Sequence, residues 1–160
     1  MAITKEKKQD ILKKLEGIRN DSDSIVFVNF KGVSVSDTSA MRRKLREEGV
    51  GYFVAKKTLI KRAFGDTFTG EMPTLDGEIA VAYSKDAIAP AQNVKEFAKK
   101  YKEAIAIAGG VFQGVYKNKA EMTEIASIPP LQTLRGMFAQ LINSPRQRFA
   151  VVLSEVSKRA

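Results

Sequence analysis

Two β–α–β units in tandem, with one extra helix and a loop between them, predict an α+β fold of the split ferredoxin-like kind. A sheet with packed helices would be followed by an extended C-terminal amphipathic helix. Three observations carry this expectation. Ser24–Phe30 (SIVFVNF) and Gly77–Ser84 (GEIAVAYS) are β-branched or alternating apolar runs of strand length. They alternate with segments whose apolar residues recur at helical spacing. The alternation then stops at Ile128-Pro129-Pro130, where two prolines stiffen the chain and keep Ile128 out of the helical region. A doubly wound α/β sheet gives a similar string of elements and stays open as the alternative.

In chain order, Thr4 can cap a helix with Ile11, Leu12, Leu15 and Ile18 inward, ending near Gly17–Asn20. After the strand Ser24–Phe30, Lys31-Gly32 turns the chain. Ser36 or Asp37 can cap a helix through Glu48 that buries Met41 and Leu45. Arg42, Arg43 and Arg46 share a sector of that helix, because residues three or four apart lie one above the other. Gly49–Ala55 reads as a strand, and Lys57–Phe64 as a short helix with Leu59, Ile60 and Ala63 inward and Lys61 and Arg62 outward. Gly65–Asp76 reads as a loop.

Asp86–Tyr101 then forms a helix with Val94, Phe97, Ala98 and Tyr101 at core spacing, and Pro90 is tolerated in its first turn. Glu103–Ala108 is a strand, and Gly109-Gly110 suits a tight reversal into Val111–Tyr116. Asn118 and Glu121 form a capping-box pattern for a short helix to Ala126. Beyond the prolines the tail reads as two helical pieces. Leu131, Leu134, Phe138, Leu141 and Ile142 stripe the first, with Met137 beside them, and Phe149, Val152, Leu153 and Val156 stripe the second. Ser144 would cap the second piece, with Pro145 at its first position. The domain boundary is expected at residues 128 and 129.

The chain of 160 residues suffices for one buried domain and an appendage. It has neither Cys nor His, so disulfides, thiolate metal sites and the usual neutral-pH general base are excluded. No P-loop follows Gly109-Gly110, and the acid pairs Asp21/Asp23 and Glu47/Glu48 lack a polar constellation around them. An enzyme, a metal, a cofactor or a small-molecule substrate is therefore not expected. There is no apolar segment of signal-peptide or membrane-span length at the N-terminus or elsewhere, so a soluble cytoplasmic protein with no membrane partner is the default.

The net charge of +9 is unevenly spread. Fifteen Lys and Arg face eight Asp and Glu in residues 1–64, seven face nine in 65–128, and five face one in 129–160. Met41–Phe64 concentrates the excess on two helices flanking one strand, which suits a polyanion, most commonly nucleic acid. The candidate contacts are Lys7, Lys8, Lys31, Arg42, Arg43, Arg46, Lys56, Lys57, Thr58, Lys61 and Arg62. Among nearby aromatics, strand alternation favours core packing for Phe30 and Phe53 and leaves Tyr52 as the base-stacking candidate. The tail stripes need a covering surface, in the chain's own core or on a partner.

Three stretches, Phe30–Val35 (FKGVSV), Met41–Val50 (MRRKLREEGV) and Val54–Ala63 (VAKKTLIKRA), resemble bacterial ribosomal protein L-ten, the stalk base of the large subunit. Gly109–Gly114 (GGVFQG) and Ile125–Pro129 (IASIP) resemble its later blocks, so the likeness runs along essentially the whole chain. The family usually has Lys-Asn-Thr-Leu where this chain has Lys56-Lys57-Thr58-Leu59, and a Ser-like cap where Pro130 stands.

The resemblance implies a structural protein of the large ribosomal subunit, in the cytoplasm. Residues 1–128 would bind the GTPase-associated region of its ribosomal RNA beside ribosomal protein L-eleven. The segment 129–160 would anchor dimers of the acidic stalk protein (L-seven/L-twelve), which recruit translation GTPases. The stalk-protein contacts would be Leu131, Leu134, Met137, Phe138, Leu141, Ile142, Phe149, Val152, Leu153 and Val156. The alternative is a non-ribosomal nucleic-acid-binding regulator that homodimerises through its C-terminal helix.

Overall fold

The computed structural model describes residues 5–65, 67–101 and 104–159. Thr4 and Glu103, expected at a helix cap and a strand start, lie outside the described residues. The chain divides into two compact units, Met1–Ile128 and Pro129–Ala160.

In the first unit the order is α1 (Lys5–Asp21), β1 (Ser24–Phe30), α2 (Val35–Glu47), β2 (Gly51–Val54), α3 (Lys57–Phe64) and β3 (Ile79–Ser84). It continues with α4 (Ala89–Lys100), β4 (Ile105–Phe112), β5 (Val115–Asn118) and α5 (Lys119–Ile125). The strands form one sheet in the order β2-β3-β1-β4-β5, and each neighbouring pair is antiparallel. That arrangement is the split β–α–β sheet with one added edge strand, and it rules out the parallel doubly wound alternative.

Strand alternation divides the core between the two faces of the sheet. Ile25, Phe27, Ile79 and Val81 pack with Leu15 of α1 and Leu59, Ile60, Ala63 and Phe64 of α3. Val26, Val28, Ala80 and Ala82 pack with Met41 and Leu45 of α2, Val94 and Phe97 of α4 and Met122 of α5. Helices α1 and α3 therefore cover one face, and α2, α4 and α5 the other.

The long connection from α3 to β3 is fastened by aromatics. Phe64 meets Phe27 edge-on at 6.0 Å and stacks on Phe68 at 6.2 Å, and Phe68 meets Tyr116 edge-on at 5.6 Å. The Tyr116 hydroxyl donates to the Phe64 carbonyl, and the Tyr116 amide donates to the Thr69 carbonyl at 2.9 Å. Met72 and Leu75 plug the same face.

Gly109-Gly110 is not the hairpin turn that its composition suggests. Both glycines lie inside β4, and the reversal falls at Gln113 and Gly114, with φ of 49° and 80°. Positive φ at both central residues is the requirement of the favoured two-residue hairpin turn. The glycines are needed for close packing instead. A Cβ on Gly109 would come within 2.7 Å of the Pro73 ring, and one on Gly110 within 2.4 Å of the Ile25 carbonyl. Register also shifts between Phe27 and Val28 opposite Ala108, leaving that residue unpaired. One extra residue reverses the facing of the strand, so Ile105 and Ile107 join one half of the core and Val111 the other.

Candidate nucleic-acid interface

Helix α2 begins earlier than its sequence suggests. Ser34, rather than Ser36 or Asp37, is the cap: its Oγ accepts the Asp37 amide at 3.1 Å and donates to the Asp37 carboxylate at 2.6 Å. The Tyr101 hydroxyl donates to the same carboxylate at 2.9 Å, which ties α2 to the end of α4. Hydrogen bonds from Ser34 and Tyr101, with Lys100 nearby, hold the Asp37 pKa below the ordinary carboxylate value. Anchored in this way, α2 buries Met41 and Leu45 and leaves Arg42, Arg43 and Arg46 exposed.

These arginines have different surroundings. The Arg42 guanidinium lies over the Tyr52 ring, 5.6 Å from its centroid. Arg43 pairs with Glu47 at 3.5 Å on an exposed surface, where such pairs add little stability. Among the described residues, Arg46 has no acid within ion-pair distance. Lys44, in the same basic run, is engaged by Glu96 of α4 at 2.7 Å.

At the far end of β2, Lys56 takes the cap position of α3 in extended backbone, and Lys57 and Thr58 open the helix. All three are exposed and line a cleft of about 620 Å³ with Ile11 of α1, Phe30 and Glu78. Lys31, just past β1, is exposed, as are Lys7 and Lys8 on α1 and Lys61 and Arg62 on the outer side of α3. Arg19 is occupied structurally: it donates to the Ala63 carbonyl at 3.3 Å and to Thr67 Oγ1 at 3.0 Å.

The basic run of the sequence is thus two groups in space. Arg42, Arg43 and Arg46 belong to the α2 layer, whereas Lys57, Lys61 and Arg62 belong to the α3 layer on the opposite face of the sheet. Only the edge strand β2 joins them, across roughly 10–13 Å for its four residues. A polyanion that reaches both groups must lie across the sheet edge rather than on one face.

Tyr83, which the sequence did not single out, packs on the α1/α3 face of the sheet, opposite that of Tyr52. It lies opposite Gly51 in the β2–β3 register, with its ring so close that a Cβ on Gly51 would fall 2.3 Å from it. A glycine inside a strand is the signal that pointed there, since it marks close approach. Tyr52 is half-buried, and that burial pushes its hydroxyl pKa up to about 12 despite the opposing pull of Arg42. Phe30 and Phe53 are half-buried against opposite halves of the core. Among the described residues, no cluster of three acids, His or Cys that could hold a metal is present, and no helix is long and apolar enough to cross a membrane.

In the second unit, the two helical pieces expected around Pro145 are one helix, α6 (Leu131–Arg159), with Pro145 inside it. An internal proline removes the amide that would bond the carbonyl four residues back, here that of Leu141. The Ser144 hydroxyl supplies the missing donor at 2.9 Å. Ser144 therefore acts as a substitute donor within the helix and not as a cap.

With no break, the two stripes line up. At 100° per residue, the leucines, Phe138, Ile142, Phe149, Val152 and Val156 all fall with Pro145 in a sector about 120° wide. Met137 flanks it, and Val151 points away. The helix is roughly 43 Å long, at 1.5 Å for each of its 29 residues. Its large apolar side chains are exposed, from 38% at Leu134 to 72% at Leu141.

Residues 3–99 match the family described as Ribosomal protein L10. A large ribosomal subunit protein uL10 of Shouchella clausii is 34% identical over 99% of this chain and 96% of its own length. The proteins of the same name from Rhodospirillum rubrum and Erythrobacter litoralis are 32% and 34% identical, each over 94% of this chain and 87% and 88% of their own lengths. A match to more than half of the chain, with relatives aligned nearly end to end, means that the chain belongs to the ribosomal protein L10 family.

Proposed function

We propose that residues 1–128 bind large-subunit ribosomal RNA across the edge of the sheet at β2, in the GTPase-associated region beside ribosomal protein L-eleven. In the same reading, α6 carries dimers of the acidic stalk protein L-seven/L-twelve. Family membership makes the chain a structural, non-catalytic constituent of the large ribosomal subunit, a cytoplasmic particle. What its two units hold is the proposal.

The observation that carries the RNA half is the convergence of two exposed cation groups on one sheet edge, Arg42 and Arg46 at one end and Lys56, Lys57, Lys61 and Arg62 at the other. Lysines and arginines so placed bind phosphates without reading sequence. The protein half is supported by an exposed apolar stripe on a tail with five cations against one acid, a surface suited to an acidic helical partner.

Affinity for the ribosomal RNA fragment over a salt series tests the first half. Each lost phosphate contact should lower the slope of log affinity against log salt by roughly 0.7–0.9. Arg46→Ala and Lys61→Ala should each do so, and their double variant should lose both amounts. Unchanged slopes would place the RNA on another surface. Co-purification tests the second half: a stalk base arrives with a small acidic protein, and a chain that arrives only as its own dimer would support the regulator reading instead.

A further inference from the structure

We propose that four arginines bordering the apolar stripe of α6 guide the acidic stalk protein onto it, Arg135 and Arg146 along one edge and Arg148 and Arg159 along the other. The inference rests on the stalk-docking reading and adds to it the residues that choose the partner by charge.

The placement follows from the continuity of α6 across Pro145. At 100° per residue, Arg135 and Arg146 fall roughly 60° and 80° to one side of the middle of the stripe. Arg148 and Arg159 fall roughly 80° and 60° to the other side. The members of each pair are about three turns apart, roughly 16 Å along the axis, so they stay on one edge. One edge is therefore charged along the first half of the helix and the other along the second half. Lys158, the remaining cation of the tail, falls about 160° from the middle of the stripe, on the back of the helix.

All four arginines are exposed, and among the described residues none has an acid within ion-pair distance. Glu155, the only acid of the tail, lies on the edge that holds Arg148 and Arg159 and pairs with neither. The choice of residue also fits. The bordering cations are arginines, whose planar and weakly hydrated fork grips a carboxylate with two parallel hydrogen bonds beside an apolar contact. The cation on the back is a lysine, whose compact ammonium stays hydrated.

This pattern selects the occupant. A helix laid along the stripe brings carboxylates that border its own apolar face against these arginines. A second copy of α6 in register would instead set Arg146 beside an arginine of the other copy, whether the two helices run parallel or antiparallel. RNA would satisfy the arginines and leave the stripe in water.

The test follows association of the full-length protein with purified acidic stalk protein, L-seven/L-twelve, over a salt series. Charges at the rim of a contact act mainly on the association rate and its salt dependence. Arg146→Glu and Arg148→Glu should each slow association roughly threefold at low salt and roughly tenfold together, with the differences fading as salt screens them. Glu155→Gln should speed it. Lys158→Glu makes the same change of charge on the back of the helix and should alter the rate by less than about twofold. All these side chains are exposed, so the variants should keep the native melting temperature. Equal slowing by Lys158→Glu would mean that net charge alone steers the partner. Association indifferent to salt and to the arginine variants would mean that the stripe acts alone. Either result overturns the arginine borders and leaves stalk docking intact, whereas an unaltered chain that does not bind the stalk protein removes both.

Discussion

Helix α2 buries Met41 and Leu45 against the sheet, at 4% and 1% exposure, whereas α6 leaves Phe138 66% and Leu141 72% exposed. Both helices have apolar residues at helical spacing, and their sequences give the same local signal. The difference lies in what surrounds them. The α2 stripe is narrow and lies beside strands whose alternate residues need cover, while the α6 stripe is long, continuous and follows two prolines. An amphipathic pattern says that a face requires a partner; it does not say which molecule supplies it.

Removing α6 is the largest perturbation that can break this comparison. A chain ending at Ile128 is expected to melt within a few degrees of the full-length protein and, if α6 is the docking segment proposed above, to lose binding of the acidic stalk protein completely. A melting temperature that collapses would mean that α6 completes the core, since removing so many large apolar side chains would take a large share of a typical stability of about 5–15 kcal/mol.

Paired phenylalanine substitutions sharpen it next. Phe64 is fully buried and touches Phe27 and Phe68, so Phe64→Ala should destabilise the first unit by about 3–5 kcal/mol in urea unfolding. Phe138→Ala should leave that unfolding curve within ~0.5 kcal/mol, as expected of an exposed site. Similar losses from both would make the two regions alike.

A smaller effect concerns the continuity of α6. Ser144→Ala leaves the Leu141 carbonyl with neither an amide nor a hydroxyl donor, which should weaken the helix locally by about 0.5–1 kcal/mol. Hydrogen exchange should speed up for amides around residues 142–149 and not in α2. Unaltered exchange would show that the hydroxyl is incidental to helix continuity.

The smallest is a pH effect in the first unit. Tyr52 has its pKa raised from 10.0 to about 12 by burial. The folded state therefore holds this proton where the unfolded chain releases it, so the contribution is complete below pH 10 and disappears between pH 10 and 12. Urea midpoints should fall more steeply over that window for the native chain than for Tyr52→Phe. Parallel curves would mean that the phenol titrates normally.

Much of the fold was legible because its signals are local. The strand Ser24–Phe30 and the helix Lys57–Phe64 have the expected bounds, and the Asn118–Glu121 capping box forms, with the Asn118 amide donating to Glu121 at 3.0 Å. These depend on composition, periodicity and reciprocal capping within a few residues. Gly109-Gly110 misled because a glycine pair serves a turn and a close contact equally well, and only Pro73, Ile25 and Met122 decide which. Pro145 misled because the rule that proline ends a helix assumes that the orphaned carbonyl finds no donor, and Ser144 supplies one.

The candidate site was legible as a list of cations and not as a surface. Sequence alone determined how many positive charges lie near β2, that neither His nor Cys is present for catalysis, and that the apolar face of the tail needs a covering surface. Only the tertiary structure decided that α2 and α3 cover opposite faces of the sheet, that their charges meet at one edge strand, and that the Tyr83 ring lies against Gly51 on the face opposite Tyr52. The reason is that charge and periodicity are properties of neighbouring residues, whereas strand order and the pairing of Gly51 with Tyr83 arise from contacts between segments far apart in the chain.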